Sequence, residues 1–100
     1  MFQHLLIFPS SAEAAVVERI VTEDLAPLFR NSVGFHSLSI SVGALMGPGA
    51  QDGGASVFVE ATFESLDSAL GAISAPDFEP TAATVESLGA VIYLFELRDV

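Results

Sequence analysis

Two histidines, one tyrosine and a complete lack of cysteine and lysine narrow the chemistry open to this chain of 100 residues. Without cysteine there is no disulfide, thiolate zinc site, iron–sulfur ligand or thiol nucleophile. His4 stands in an apolar run from Phe2 to Phe8, and Glu60 stands between Val59 and Ala61 in another. A carboxylate buried in such a segment costs several kcal/mol unless a donor meets it. Alternation along the two segments gives His4 and Glu60 the same parity, so the imidazole is the expected donor. Such a pair would be a carboxylate-oriented general base, with Glu60 raising the imidazole pKa, and Tyr93 would add a phenolic donor. Each also has a plainer role. His4 can fill an interface with its nitrogens bonded to backbone or to Glu60, Arg98 of a second copy can neutralise Glu60, and Tyr93 can be a core aromatic with a satisfied hydroxyl.

His36 opens another apolar segment and reads as a strand-end histidine partly in solvent. The two histidines match no metal-ligand spacing, so no metal site is expected. Ser37, Ser39 and Ser41 recur at every second position, which suits either pocket hydroxyls or the wet side of an edge strand. With Leu6, Phe58, Thr62 and Phe95 they form the expected pocket lining around the catalytic candidates His4, Glu60 and Tyr93. No serine lies in a G-x-S-x-G elbow, and the glycines at 47, 49, 53 and 54 do not lead from a strand into a helix. A hydrolase nucleophile and a phosphate-cradling loop are therefore unsupported, and no motif implies a cofactor.

The elements that would hold these side chains follow from periodicity and punctuation. Phe2 to Phe8 reads as a strand closed by Pro9. Ser10-Ser11-Ala12-Glu13 fits a capping box, and Val17, Ile20, Val21, Leu25 and Leu28 then form one apolar helical stripe that Pro27 should kink or end. Beyond Gly34, the alternation from Phe35 to Ala44 predicts a second strand, and Ala55 to Phe63 a third. The glycine-rich segment Met46 to Gly54 between them is expected to be a mobile loop. Ser65 should cap a helix carrying Leu66, Ala69, Leu70 and Ile73, which Pro76 and Pro80 break. A helical piece from Thr81 to Leu88, stopped by Gly89, precedes a last strand from Val91 to Leu97.

The order βαββαβ predicts an α+β, ferredoxin-like sandwich: one antiparallel sheet in the spatial order fourth, first, third, second, with both helices on one face. Parity should turn Leu5, Ile7, Leu38, Ile40, Val42, Val57 and Val59 to the helices. It should leave Phe2, His4, Leu6, Phe8, Phe58, Tyr93 and Phe95 on the bare side. Burying a large apolar side chain is worth roughly 1.5–3 kcal/mol, so a second copy is expected to cover that side. The partner class is thus the chain itself, as a homodimer.

A hydrophobic content of 51% excludes disorder despite the formal charge of −10, and 100 residues suit one domain over the whole length. Thirteen acids against Arg19, Arg30 and Arg98 argue against nucleic acid or an anionic membrane as a partner. No apolar run reaches the roughly 18–20 residues of a membrane span. The start MFQHLLIF lacks a basic region before its short apolar stretch, so a cytoplasmic location is expected.

Two stretches resemble the EthD-like members of the dimeric α+β barrel superfamily. Asp24-Leu25-Ala26-Pro27-Leu28 followed by Val33-Gly34-Phe35 is similar to that family's helix end of type His-x-Pro-Leu and its Pro-Gly-Leu strand entry. Ala75-Pro76-Asp77-Phe78 is similar to its Ser-Pro-Glu-Phe. The resemblance implies a sheet-to-sheet dimer, a pocket between each sheet and its helices or loops, and metabolism of small organic molecules. It also marks a departure, because the family's histidine two places before the proline is Leu25 here. Three readings stand: an enzyme without a tightly bound cofactor acting on an apolar organic substrate, a non-catalytic ligand-binding or accessory dimer, and a dimer with no ligand.

Overall fold

Four apolar segments pair as expected in the computed structural model, which describes residues 1–48 and 55–100. β1 (Phe2–Phe8), β2 (Phe35–Ile40), β3 (Val57–Phe63) and β4 (Val91–Glu96) form one antiparallel sheet in the order β2-β3-β1-β4. That is the predicted ferredoxin-like order. β2 ends four residues before Ala44, leaving Val42 exposed beyond the strand instead of facing the helices. Residues 49–54, most of the segment expected to be a mobile loop, lie outside the described residues.

The first helical run departs from expectation at both ends. Ser10 and Ser11 do not cap it: they lie in a turn in which the Ala12 N–H donates to the Pro9 carbonyl at 3.0 Å, and α1 (Ala14–Ile20) starts after Glu13. Pro27 does not end it either. Between α1 and α2 (Ala26–Arg30) the chain widens into a π-helical turn, Val21–Leu25, and the Ala26 N–H reaches the Val21 carbonyl five residues back. A proline ring clashes with the carbonyl four residues before it in a regular α-helix, and the wider turn accommodates the ring at the start of α2. α3 (Leu66–Ile73) begins as predicted, with the Ser65 hydroxyl accepting the Ser68 N–H at 3.1 Å. α4 (Phe78–Ser87) starts three residues before Thr81, because Pro80 falls in a first turn where its missing N–H is not needed.

All helices cover one face of the sheet, and the core between the layers is aromatic. Phe8, Phe29 and Phe63 are fully buried, joined by Leu6, Leu25, Val17 and Val59. The ring of Phe29 meets that of Phe63 edge-on at 5.3 Å.

Two local devices fix how the layers join. Gly34 adopts φ +79°, and a Cβ there would collide with the Ser68 side chain, so glycine lets the entry to β2 pass close against α3. At the other end, the Ser56 hydroxyl sits 2.8 Å from the Pro9 carbonyl and 3.1 Å from that of Ala12, tying the start of β3 to the turn before α1.

Parity on β1 is the reverse of that predicted. Phe2, His4, Leu6 and Phe8 turn toward the helices, and Leu5 and Ile7 occupy the open face with Gln3. A strand that is apolar at nearly every position carries no alternation to read. The volume needed beneath the helices decides instead, and there the even-numbered side chains fill it. β3 follows the prediction, with Val57, Val59, Ala61 and Phe63 inward and Phe58, Glu60 and Thr62 outward.

Candidate functional site

The reversed parity separates the predicted catalytic pair. His4 lies opposite Ala61 and Leu94, whereas Glu60 lies opposite Leu5 and Ser39, so the two side chains stand on opposite faces of the sheet. No hydrogen bond between them is possible, and Glu60 does not raise the imidazole pKa.

His4 is instead enclosed between sheet and helices, with 2% of its surface exposed. The Phe29 ring on α2 meets the imidazole edge-on at 5.5 Å and 85°, and the Phe78 ring on α4 does so at 6.4 Å and 78°. These two phenylalanines stack on each other at 5.7 Å and 20°. Taking a cation into this apolar enclosure is costly, so burial lowers the His4 pKa from 6.5 to about 4 and the ring is neutral at neutral pH. A neutral imidazole has one donor and one acceptor nitrogen. Among the described residues no fully enclosed polar side-chain atom lacks a partner.

Other elements bring polar groups near this layer. Thr81 is buried on the stripe of α4 that carries Phe78 and Val85 toward the core. The sequence reading missed Phe29 and Phe78 as surroundings of His4. The spacing Phe78, Thr81, Val85 is the signal that could have found the α4 stripe.

On the open face the strand rows run as ladders. One row is Ser39, Glu60, Leu5 and Tyr93, and the next is Ser37, Thr62, Gln3 and Phe95. Glu60 and Tyr93 are therefore two strands apart, about 10 Å, with Leu5 between them. Gln3, absent from the predicted site, is buried and accepts the Thr62 hydroxyl at 2.9 Å through its side-chain oxygen. Ser41 lies at the β2 end of this face, where its hydroxyl accepts the Phe58 N–H at 3.0 Å. Of the expected pocket lining, Ser37, Ser39, Ser41, Phe58, Thr62 and Phe95 thus share the open face with Glu60 and Tyr93, and Leu6 belongs to the core with His4 on the other side. His36 is exposed, in line with a strand-end role.

A cleft of about 580 Å³ opens elsewhere, between the end of α2 and the body of α3. Leu28, Val33 and Ala72 supply apolar lining, and Asp67 and Asp77 its carboxylates.

No protein-family model matches the chain, and no curated protein matches it. Solved structures do. SnoaB, a cofactor-independent oxygenase from Streptomyces nogalater, superposes with a TM-score of 0.77 at 20% identity, covering 99% of this chain and 94% of that one. An EthD family protein from Bacillus halodurans gives 0.71 at 13% identity, over 98% and 99%. A dimeric ferredoxin-like protein of unknown function from Thermobifida fusca gives 0.67 at 21% identity, over 96% and 90%. The likeness spans essentially the whole chain, and the chain has the ferredoxin-like α+β fold of which an EthD family protein, an oxygenase and a dimeric protein of unknown function are solved examples.

Proposed function

We propose that this chain is an EthD-like, small-molecule-acting protein that admits an apolar organic molecule beside the enclosed His4 when α2 and α4 part from the sheet, and that works as a homodimer through the open face of its sheet. The observation that carries this reading is the neutral imidazole enclosed by the Phe29 and Phe78 rings between sheet and helices. Its acceptor nitrogen can take a proton from a substrate hydroxyl or an acidified C–H, and its donor nitrogen can hold a carbonyl. An imidazolium is disfavoured in that enclosure unless an anion forms beside it. Proton transfer is thereby coupled to a bound substrate whose charge develops at the same moment, and the proton returns from the imidazolium to the product.

The dimer reading is supported by the apolar and aromatic side chains left on the open face. Phe58, Val91 and Tyr93 are 40%, 49% and 52% exposed, and a neighbour of the same fold is described as dimeric. Covering such a face removes an aggregation hazard.

One observation favours the accessory reading. Glu60 and Tyr93 stand on the other side of the sheet from His4, and Leu25 occupies the place of a histidine in the resembling family, so the imidazole has neither as a titratable partner.

The test uses acetophenone, with deuterium uptake at its methyl carbon in heavy water as the readout of proton abstraction and the amide spectrum in ordinary water as the readout of binding. The enzyme reading expects exchange that His4→Gln lowers about 100-fold or more with binding retained. Binding by both proteins without exchange supports the accessory reading. Amide shifts that avoid β1, α2 and α4 overturn the placement of the ligand at His4.

A further inference from the structure

The cleft between α2 and α3 has a chemistry of its own that the reading above does not use. Its apolar lining comes from Leu28, Val33, Ala72 and Ala75, its hydrogen-bonding groups include Asn31, Ser32 and Ser68, and its charged side chains are Asp67 and Asp77. None of the three arginines lines it. A volume of about 580 Å³ falls inside the roughly 300–1,000 Å³ range of small-molecule sites.

Two details distinguish it from an incidental groove between helices. Asp77 precedes α4, yet its carboxylate makes no capping hydrogen bond, so its oxygens are not committed to the helix end. Gly71 lies in the middle of α3, where alanine would favour the helix by roughly 0.5–1 kcal/mol. A Cβ at Gly71 would meet nothing within 4 Å, so backbone crowding does not require glycine there. What glycine does at that point is keep the wall of the cleft low.

We propose that this cleft binds an organic monocation, an amine carried on an apolar body, with the ammonium beside Asp67 and Asp77 and the apolar part against Leu28, Val33, Ala72 and Ala75. Charge complementarity selects this class. An anion would meet two carboxylates without a cation, in a chain of net charge −10. Asp67 and Asp77 are both exposed, so a neutral ligand gains nothing from either carboxylate whereas a cation does. The proposal is independent of His4, which does not line the cleft.

Benzylamine, benzyl alcohol and benzoate, three probes of one shape and different charge, test it by amide-resolved titration of the full chain. Benzylamine is expected to shift the amides of Ser32, Ser68, Gly71 and Asp77 saturably, with benzyl alcohol about tenfold weaker and benzoate without effect. Asp67→Asn with Asp77→Asn should bring benzylamine to the level of the alcohol. Gly71→Leu should abolish binding while leaving the amide spectrum of the sheet unchanged, and His4→Gln should leave binding as in the parent chain. Benzoate binding equal to that of benzylamine overturns the proposal. So does benzylamine binding that survives Gly71→Leu, or an unsaturable response spread over all acidic residues.

Discussion

Lowering the pH should unmask the burial of His4 as a loss of stability that one substitution removes. The imidazole pKa is about 4 in the folded chain and 6.5 when the ring is in water. Between those values the unfolded chain binds a proton that the folded chain does not. Stability therefore rises with pH across the window, and is lost as pH falls from about 6.5 to about 4. At about 1.4 kcal/mol per pH unit, the full loss is on the order of 3 kcal/mol, a large share of the stability of a domain this size. Carboxylates titrate at the lower end of the same window, so the parent chain alone does not isolate the effect. Urea unfolding at fixed protein concentration should be followed from pH 7.5 to pH 4 for the parent and for His4→Gln, which keeps polar contacts and cannot take up a proton there. The difference between the two curves should be flat above pH 7 and shrink by about 3 kcal/mol toward pH 4. Parallel curves would refute the reasoning. So would a His4 resonance titrating above 6.5, the outcome that a Glu60 partner would have given.

Sedimentation at micromolar concentration should show one species of twice the chain mass. Phe58→Asp, placing a charge on the open face, should convert it to monomer without changing the helical signal, and a stable parent monomer would overturn the dimer. Ser56→Ala removes the hydroxyl that meets the Pro9 and Ala12 carbonyls and should cost about 1–2 kcal/mol in chemical unfolding. Gly34→Ala should cost about 2 kcal/mol or more, from the left-handed backbone and the collision with Ser68, and Ser68→Gly in the same chain should recover part of that loss in thermal unfolding.

The class and order of the elements were legible along the chain, because each depends on neighbours within a few residues. Alternation marked β2 and β3, the Ser65 cap marked α3, and Gly89, at φ +83°, marked the end of α4. The open-face position of Glu60, Thr62 and Phe58 was legible for the same reason: β3 alternates between side chains that tolerate water and side chains that do not. One local signal misled: the capping-box pattern at Ser10 lost to a turn. Pro27, expected to kink or end the helix, does not end it but follows a widened turn that interrupts the regular α-helix, a form that no i, i+4 stripe announces. Where His4 points was settled by packing between distant segments. β1 offers apolar side chains to both faces, so either parity satisfies its local pattern, and the choice belongs to the layer above it. Phe29 and Phe78, 25 and 74 residues along the chain from His4, close over one face and not the other. The separation of His4 from Glu60 and the lowered imidazole pKa follow from that packing, which brings together residues too far apart in the chain for any local pattern to pair.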